Sequence, residues 1–390
     1  MRWRYRHTVL LLATLAFFAT MVARLVISPV VPDITDEFRI SRGAIGLALT
    51  GMWTAYALTQ FPSGVLGDRF GERRVILTAV GLTAVTSAVL AVSPSFPVFF
   101  AVVVLLGAAA GLHYSVATTL LTKQFDSIGR AIGVHVAGGP LAGLLAPVAA
   151  AYVGTRFGWR AAIAVGAVVA LPVFAMFWFG VRSTVPDRPD QPLKERFDPG
   201  EVVALLSRPT IAYTTVLAII GAFAWQATAS FLPTFLAQHH DLSRTTAGAL
   251  FSAYFVVHGS TQPVMGSLSD RFGRDAAVSG TMFLGVFGYG LLVVAPNLPT
   301  ILAGVAVVGL AMSWGAPLQS RFMDNLGDAE RGAGFGLVRT VYMVVGALGS
   351  VVVGVLSDVA GWTAAFGLLS AFMGLAFATT LANRLLGLDL

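Results

Sequence analysis

Long apolar segments recur along the whole of this 390-residue chain and are separated by short polar gaps. An α-helix needs about 20 predominantly apolar residues to cross a hydrocarbon core of about 30 Å. Twelve such runs can be distinguished, at residues 8–31, 43–66, 75–92, 98–121, 131–154, 161–181, 211–235, 247–268, 276–295, 300–320, 333–356 and 364–384. They predict an all-α membrane protein with twelve transmembrane helices.

The composition agrees with a membrane protein and excludes several functions. Only 11% of the residues are charged, against about 25% in soluble domains. The net charge is +6, but the arginines are spread over short loops and helices instead of one basic face, so we expect no nucleic-acid partner. Because the chain has no cysteine, disulfides, thiolate metal sites and cysteine nucleophiles are excluded. We expect no metal and no cofactor.

Basic residues indicate how the chain crosses the membrane. They concentrate in the N-terminal segment RWRYRH, in the segment DRFGERR, and in the loop 182–208, whereas the loops 93–97 and 296–299 are nearly uncharged. Because basic loops stay in the cytoplasm, we predict a multi-pass plasma-membrane protein with both termini cytoplasmic. The bias is incomplete, since five arginines fall on the opposite side: Arg39, Arg42, Arg156, Arg160 and Arg244. The first run is too long for a removable signal peptide.

An internal repeat divides the chain. The segment GVLGDRFG at 64–71 returns as GSLSDRFG at 266–273, and the Ser-Arg pair at 41–42 returns at 243–244, each 202 residues later. A proline-rich, charged segment lies between the repeats. We therefore predict two pseudo-symmetric six-helix bundles, residues 1–181 and 210–390, joined by a cytoplasmic linker at 182–209. A substrate site is expected where such halves meet.

The repeated loop carries the pattern G-x-L-x-D-R-x-G-R and resembles the signature of the major facilitator superfamily. The resemblance covers nearly the full chain and implies a transporter with this loop as a conformational latch. Asp68 would lie near the positive end of a helix from the other half, and Arg69 would pair with acids. Glu72 departs from the usual basic residue. The predicted latch residues are Gly64, Asp68, Arg69, Gly71, Asp270, Arg271 and Gly273; alternatively, the charges are solvated loop residues.

Ionisable residues inside the apolar runs are all basic. They are Arg24, His113, His135, His258 and Arg339, with no aspartate or glutamate among them. Because charges inside a membrane are costly and mark functional sites, this set favours an anionic substrate. Arg24 shares a helix face with Thr20 and Ser28, and its fork suits carboxylate or phosphate.

The position of Arg24, eight residues before Pro32, resembles that of a substrate-binding arginine in organophosphate:phosphate antiporters and related organic-anion symporters. The resemblance extends to His135 with its following glycines, and to Tyr56 and Gln60. At the seventh run it fails, because Trp225 and Gln226 stand where those antiporters have a second arginine. Arg339 could replace that charge, or face the cytoplasmic surface or act as a gate partner.

His258 occupies the repeat position of Tyr56 and shares a helix face with Gln262. Histidine titrates near neutral pH, so His135 or His258 could couple transport to protons. The alternatives are structural: Arg24 bonded to helix carbonyls, His135 packed and neutral, and His113 part of the core, which is the interpretation we favour for His113. The remaining candidates could contact substrate or fill interhelical space: Trp53, Trp225, Gln226, Trp314 and Gln319.

The sequence thus predicts a secondary active transporter, not an enzyme, that moves a small organic anion by alternating access. We expect a monomer in the lipid bilayer, with a proton or an exchanged anion as coupling ion. The first alternative is multidrug efflux by proton antiport, because Pro140 in GGPLAGLLAP loosely resembles a segment of drug:proton antiporters. The second is a non-transporting membrane receptor.

Overall fold

The computed structural model describes residues 4–125, 127–189, 199–327, 330, 333–388 and 390. In these residues the regular structure is helical throughout, so the predicted all-α class is confirmed. Two short 3-10 turns, Ser28–Val30 and Met312–Trp314, interrupt the helices. The α-helices are α1 (Tyr5–Leu25), α2 (Val31–Phe38), α3 (Arg42–Phe70), α4 (Glu72–Ala91), α5 (Phe96–Gly111), α6 (His113–Thr122), α7 (Ile128–Val136), α8 (Gly138–Phe157), α9 (Trp159–Gly180), α10 (Pro199–Leu206), α11 (Pro209–His239), α12 (Arg244–Phe272), α13 (Arg274–Val294), α14 (Leu298–Ala311), α15 (Gly315–Asn325) and α16 (Ala333–Leu386).

Nine helical stretches in the described ranges are long and apolar enough to cross a membrane. One of them, α16, contains Gly361 at φ 80°, a non-helical conformation that divides it into two helices. Helices α3 and α12 are not among the nine, but each has 29 residues, more than the roughly 20 that a span needs. The nine stretches, the second helix within α16, and helices α3 and α12 together give twelve spans. That number stays a prediction.

Several predicted runs consist of two helices instead of one. Run 98–121 divides at Leu112 between α5 and α6, and run 131–154 divides at Ala137 between α7 and α8. Close packing accompanies the first break, because a Cβ on Gly111 would lie 2.4 Å from the carbonyl oxygen of Tyr56. Apolar periodicity cannot show such breaks, since both halves remain equally apolar.

The chain forms two compact units. The first unit contains Met1–Ile40, Gly51–Arg196 and Leu242–Ser252, and the second contains Ser41–Thr50, Phe197–Asp241 and Ala253–Leu390. The first turns of α3 therefore belong to the second unit, and those of α12 to the first. The predicted boundaries 1–181, 182–209 and 210–390 remain a prediction. Part of the predicted linker, 190–198, lies outside the described residues, and its last part forms α10.

Small residues position α1 within the first unit. A Cβ on Gly138 of α8 would lie 2.7 Å from the carbonyl oxygen of Thr14, and one on Gly166 of α9 would lie 3.1 Å from the Cα of Ala23. Glycine at these positions allows the backbones to approach closely. Around them, apolar side chains of α1, α4, α6 and α9 form one buried cluster. The last turn of α1 is consequently enclosed, and Arg24 with it.

Three of the five arginines that depart from the predicted charge bias form ion pairs. Arg160 lies 2.5 Å from Glu37, and Arg244 pairs with Asp33, both within the first unit. In the second unit Arg42 lies 3.8 Å from Asp358. Each of these three arginines is thus paired with a carboxylate that is near in space. The membrane orientation of the chain stays a prediction.

Candidate functional site

Arg24 lies in the last turn of α1 and is only 2% exposed. Its Nε donates to the carbonyl oxygen of Thr20 at 3.1 Å, and one Nη donates to the sulfur of Met21 at 2.8 Å. A guanidinium has five N–H donors, so these two bonds leave donors available. The structural alternative, a bond to a helix carbonyl, therefore accounts for part of the side chain only.

Aromatic rings of α3 cover the guanidinium of Arg24. Its Cζ lies 3.9 Å from the ring centre of Tyr56 and 5.1 Å from that of Trp53, which are cation–π distances. Within the described ranges, no carboxylate lies within 4.0 Å of Arg24. In the part of the chain that the structure describes, the site holds a buried positive charge that aromatic rings stabilise and no acid neutralises.

Two histidines lie beside α1 in the same unit. His113 begins α6 and His135 lies in the last turn of α7; both are 0% exposed, and their ring centres are 5.5 Å apart. Phe17 of α1 contacts both rings, at 6.1 Å and 5.3 Å. Tyr114 lies 6.0 Å from His135. The expected core position of His113 is therefore also a position next to a predicted binding residue.

The other residues predicted near Arg24 are Thr20, Ser28 and Gln60. Thr20 donates to the carbonyl oxygen of Phe17. Ser28 lies beyond the end of α1, in a 3-10 turn, so the predicted helix face does not extend to it. Gln60 is 5% exposed on α3, and its backbone carbonyl accepts bonds from Ser63 and Ser115. Of the residues predicted for this half, the structure brings Tyr56 and Trp53 onto Arg24.

In the second unit, helix α12 carries two of the predicted substrate-binding residues, His258 and Gln262. His258 stacks on Tyr254, with ring planes 3° apart and ring centres separated by 5.9 Å. The amide of Gln262 lies beside Gly315, the first residue of α15. Both His258 and Gln262 are partly exposed, so they remain accessible for a binding role.

Gln226 and its neighbours form a buried polar group between α11 and α16. The side-chain amide of Gln226 donates to the carbonyl oxygen of Met343 at 3.0 Å, and Ser230 bonds Ser350 at 2.7 Å. These bonds give Gln226 a helix-joining role. Trp225 and Arg339 are partly buried, and Gln319 is exposed. Trp314 packs on Gly221, where a Cβ would lie 2.5 Å from its ring, so this tryptophan fills interhelical space.

The predicted latch loops have the same backbone in both repeats. Gly71 and Gly273 follow α3 and α12 with φ of 82° and 92°, a conformation that favours glycine. Arg69 and Arg271 each lie over the next phenylalanine ring, at 5.3 Å and 5.2 Å. Over the described residues Arg69 has no carboxylate within 4.0 Å, so the acid pairing expected for it is not seen. The side chain of Asp270 pairs with Arg274, in the next helix.

Glu72, the departure from the usual loop pattern, belongs to a charge cluster. It is 1% exposed and lies 2.5 Å from the Nζ of Lys123, which also binds Asp187 at 2.5 Å. Burial lowers the pKa of Lys123, but its bonds to Asp187 and Glu72 outweigh burial and raise it overall. Arg73 donates to the carbonyl oxygens of Val181 and Trp178, so it caps the end of α9.

Two of these roles were not predicted from the sequence. The Glu72–Lys123 contact joins residues 51 positions apart and has no local signal. The approach of His113 and His135 joins residues 22 positions apart and has no local signal either.

Comparison with known proteins identifies one family, two relatives and one solved structure. A family model described as Major Facilitator Superfamily matches residues 13–235 and 214–386. The probable sulfoacetate transporter SauU of Cupriavidus necator is 26% identical, covering 100% of this chain and 96% of that protein. The chloramphenicol resistance protein of Streptomyces lividans is 28% identical over 83% of each chain. The crystal structure of a bacterial homologue of the human lysosomal transporter Spinster, inward-facing and unoccupied, matches with a TM-score of 0.83 at 18% identity over 98% of each chain, which establishes the fold alone.

Proposed function

This chain belongs to the Major Facilitator Superfamily and is a multi-pass membrane transport protein, and we propose that its substrate is a small organic anion containing a carboxylate, sulfonate or phosphate group. Transport occurs by alternating access, with Arg24 as the principal anion-binding residue. Tyr56 and His135 line the same site. In the second unit, His258, Gln262 and Arg339 remain predicted substrate-binding residues.

The observation that carries this proposal is the guanidinium of Arg24, which is buried and has no carboxylate partner among the residues that the structure describes. Removing an ion from water costs several kcal/mol even after the protein relaxes, and the rings of Tyr56 and Trp53 return only about 0.5–2 kcal/mol each. A bound anion offsets the remainder through charge-assisted, bidentate hydrogen bonds. A cation at this position would be repelled instead.

The similarity to a probable sulfoacetate transporter supports an organic anion, because sulfoacetate carries a carboxylate and a sulfonate. The similarity to a chloramphenicol resistance protein supports the alternative, efflux of a hydrophobic compound. The two functions differ in their need for Arg24. Anion transport requires its charge, whereas a neutral hydrophobic compound does not.

Purified protein in liposomes separates these functions. Uptake of four radiolabelled anions (sulfoacetate, acetate, succinate and glycerol 3-phosphate) is measured beside transport of chloramphenicol. We expect at least one anion to accumulate, with Arg24→Ala lowering its uptake about 100-fold, since a lost charged bond is worth about 1.5–3 kcal/mol. Arg24→Lys, which keeps the charge without the fork, should retain part of the activity.

The matched control is Arg156→Ala. Arg156 is exposed and lies 5.0 Å from the ring centre of Tyr152, so this variant also removes an arginine from an aromatic ring, away from Arg24. Its uptake should equal that of the parent protein. Unchanged anion uptake in a folded Arg24→Ala protein, or transport of chloramphenicol without any of the four anions, would show that the proposal is wrong.

A further inference from the structure

We propose that His113 and His135 together form the proton-binding site that couples this transporter, and that one proton enters this pair when an anion binds at Arg24. The inference rests on the proposed anion transport. It assigns a role to His113 and identifies the coupling ion as a proton moving in the same direction as the anion.

The pair is built unlike two structural histidines. Buried polar groups in proteins are nearly always hydrogen-bonded, yet none of the four ring nitrogens of His113 and His135 has a hydrogen-bond partner within the described ranges. Leaving such a group unsatisfied costs about 1–3 kcal/mol. The carbonyl oxygen of Ala13 lies near both rings but outside hydrogen-bond geometry, and Phe17 packs against both without offering a partner. A packing role does not explain two adjacent imidazoles where leucine or phenylalanine would fill the space.

The two rings are too close together to carry two charges. With ring centres 5.5 Å apart, two protonated rings would repel each other. The pair therefore takes one proton, which the two imidazoles share.

The surrounding charges link this proton to the anion. Tyr114 of α6 lies 6.0 Å from His135, and Arg24 lies seven residues beyond Phe17 on α1, on the same helix face and about 10 Å further along it; the contacts described for the pair include no carboxylate. The positive charge of Arg24 opposes protonation of the pair. An anion on Arg24 cancels this repulsion and adds attraction, so it favours the protonated form. By reciprocity, the bound proton strengthens anion binding by the same factor.

The charge balance of the step is simple. One neutral imidazole of the pair takes one proton from the side on which the anion enters and becomes an imidazolium. After the change of access, the anion leaves first or together with the proton, and the imidazole returns to its neutral form. An inward proton gradient then drives anion uptake.

Proton flux into liposomes tests this directly. Vesicles contain a trapped pH indicator, and the external solution receives whichever of sulfoacetate, acetate, succinate or glycerol 3-phosphate shows Arg24-dependent uptake. For a weak acid such as acetate, flux in protein-free vesicles is subtracted. We expect acidification of the interior with the parent protein, and at least tenfold stimulation of uptake by an inward proton gradient of two pH units.

Three variants distinguish the pair from other histidines. His113→Gln should abolish stimulation by the proton gradient while leaving gradient-independent exchange of the same anion measurable, and His135→Gln should abolish the stimulation as well. His240→Gln is the control, because His240 lies just beyond α11, binds the carbonyl oxygen of Leu292 at 2.8 Å, and glutamine can keep that bond. It should behave like the parent protein. A second measurement needs no variant: detergent-purified parent protein should take up close to one proton per anion bound in weakly buffered solution.

The outcomes separate the two proposals. Arg24-dependent anion uptake without proton flux, or without proton uptake on binding, overturns the coupling site and leaves anion transport standing. Gradient-driven uptake that survives both histidine substitutions also overturns it, and points to His258, which is then changed to glutamine. If none of the four anions is transported, both proposals fail.

Discussion

The contact between Glu72 and Lys123 yields a prediction about stability. Glu72, at the start of α4, is 1% exposed, and the side chain of Lys123 is 37% exposed. Their charges are 2.5 Å apart, a gross attraction of about 7 kcal/mol at an effective dielectric constant of 20. Desolvation of Glu72 opposes most of it. Removing one partner is therefore the best way to measure the net contribution of the pair.

Lys123→Met leaves the carboxylate of Glu72 buried without a cation. Removing one partner of a fully buried pair destabilises a protein by about 3–5 kcal/mol. Because Lys123 is more than a third exposed, water and salt screen part of this interaction, so we expect the free energy of unfolding to fall by about 2 kcal/mol. Adding Glu72→Leu should recover most of the loss, because an apolar pair of similar volume is often as stable as the ion pair.

The measurement is a double-mutant cycle by denaturant unfolding in one detergent, with the parent, both single variants and the double variant. Arg208→Met provides the control, since its partner Glu330 is exposed and the pair should contribute less. A double variant no more stable than Lys123→Met, or equal losses for Lys123→Met and Arg208→Met, would refute burial of Glu72 as the cause.

Glycine packing and an exposed ion pair provide two more predictions. Gly107→Ala should destabilise the protein by about 3 kcal/mol, because its Cβ would lie 2.0 Å from the carbonyl oxygen of Met52. Gly280→Ala, whose Cβ would have no neighbouring atom within 4 Å, should stabilise the protein slightly. Equal melting temperatures of the two variants in detergent would contradict this. Hydrogen bonds from Arg208, and then from the backbone of Gly327, lower the pKa of Glu330 to about 2. This ion pair should therefore contribute stability above the unfolded pKa of about 4.3 and lose it as the pH falls through about 2. Carboxyl NMR should show that midpoint, and Arg208→Met should move it upward; an unchanged midpoint would disprove the assignment.

Much of the fold could be predicted because it depends on local patterns. Long apolar runs predict a membrane protein, and the repeated loop, GDRFG and SDRFG, predicts the family. The loop is a local feature, because its glycines at 71 and 273 adopt positive φ in both copies. Arg24 could also be found, because an arginine inside an apolar run is rare for energetic reasons. What sequence could not show was its covering by the rings of Tyr56 and Trp53.

The helix breaks had no sequence signal either. Leu112 and Ala137 are ordinary residues inside apolar runs, and the breaks next to them depend on how α1 and α3 pack against the neighbouring helices. The short helix α10 arose in a segment predicted to be linker, because Leu205 finds a buried position against the start of α16. These features depend on tertiary packing, which the apolar periodicity of the sequence does not show.

The sequence by itself determined that the helices lie in a lipid bilayer, that the chain contains a repeat, and that the ionisable side chains in the apolar runs are basic. These features follow from hydropathy and residue type, which are properties of the chain. Tertiary structure decided which charges act together. It paired Glu72 with Lys123, and among the described residues it placed no acid beside Arg24. It also placed His113 beside His135 although 22 positions separate them. The physical reason is that electrostatic interactions depend on distance in space and on burial, and both are fixed only when helices pack.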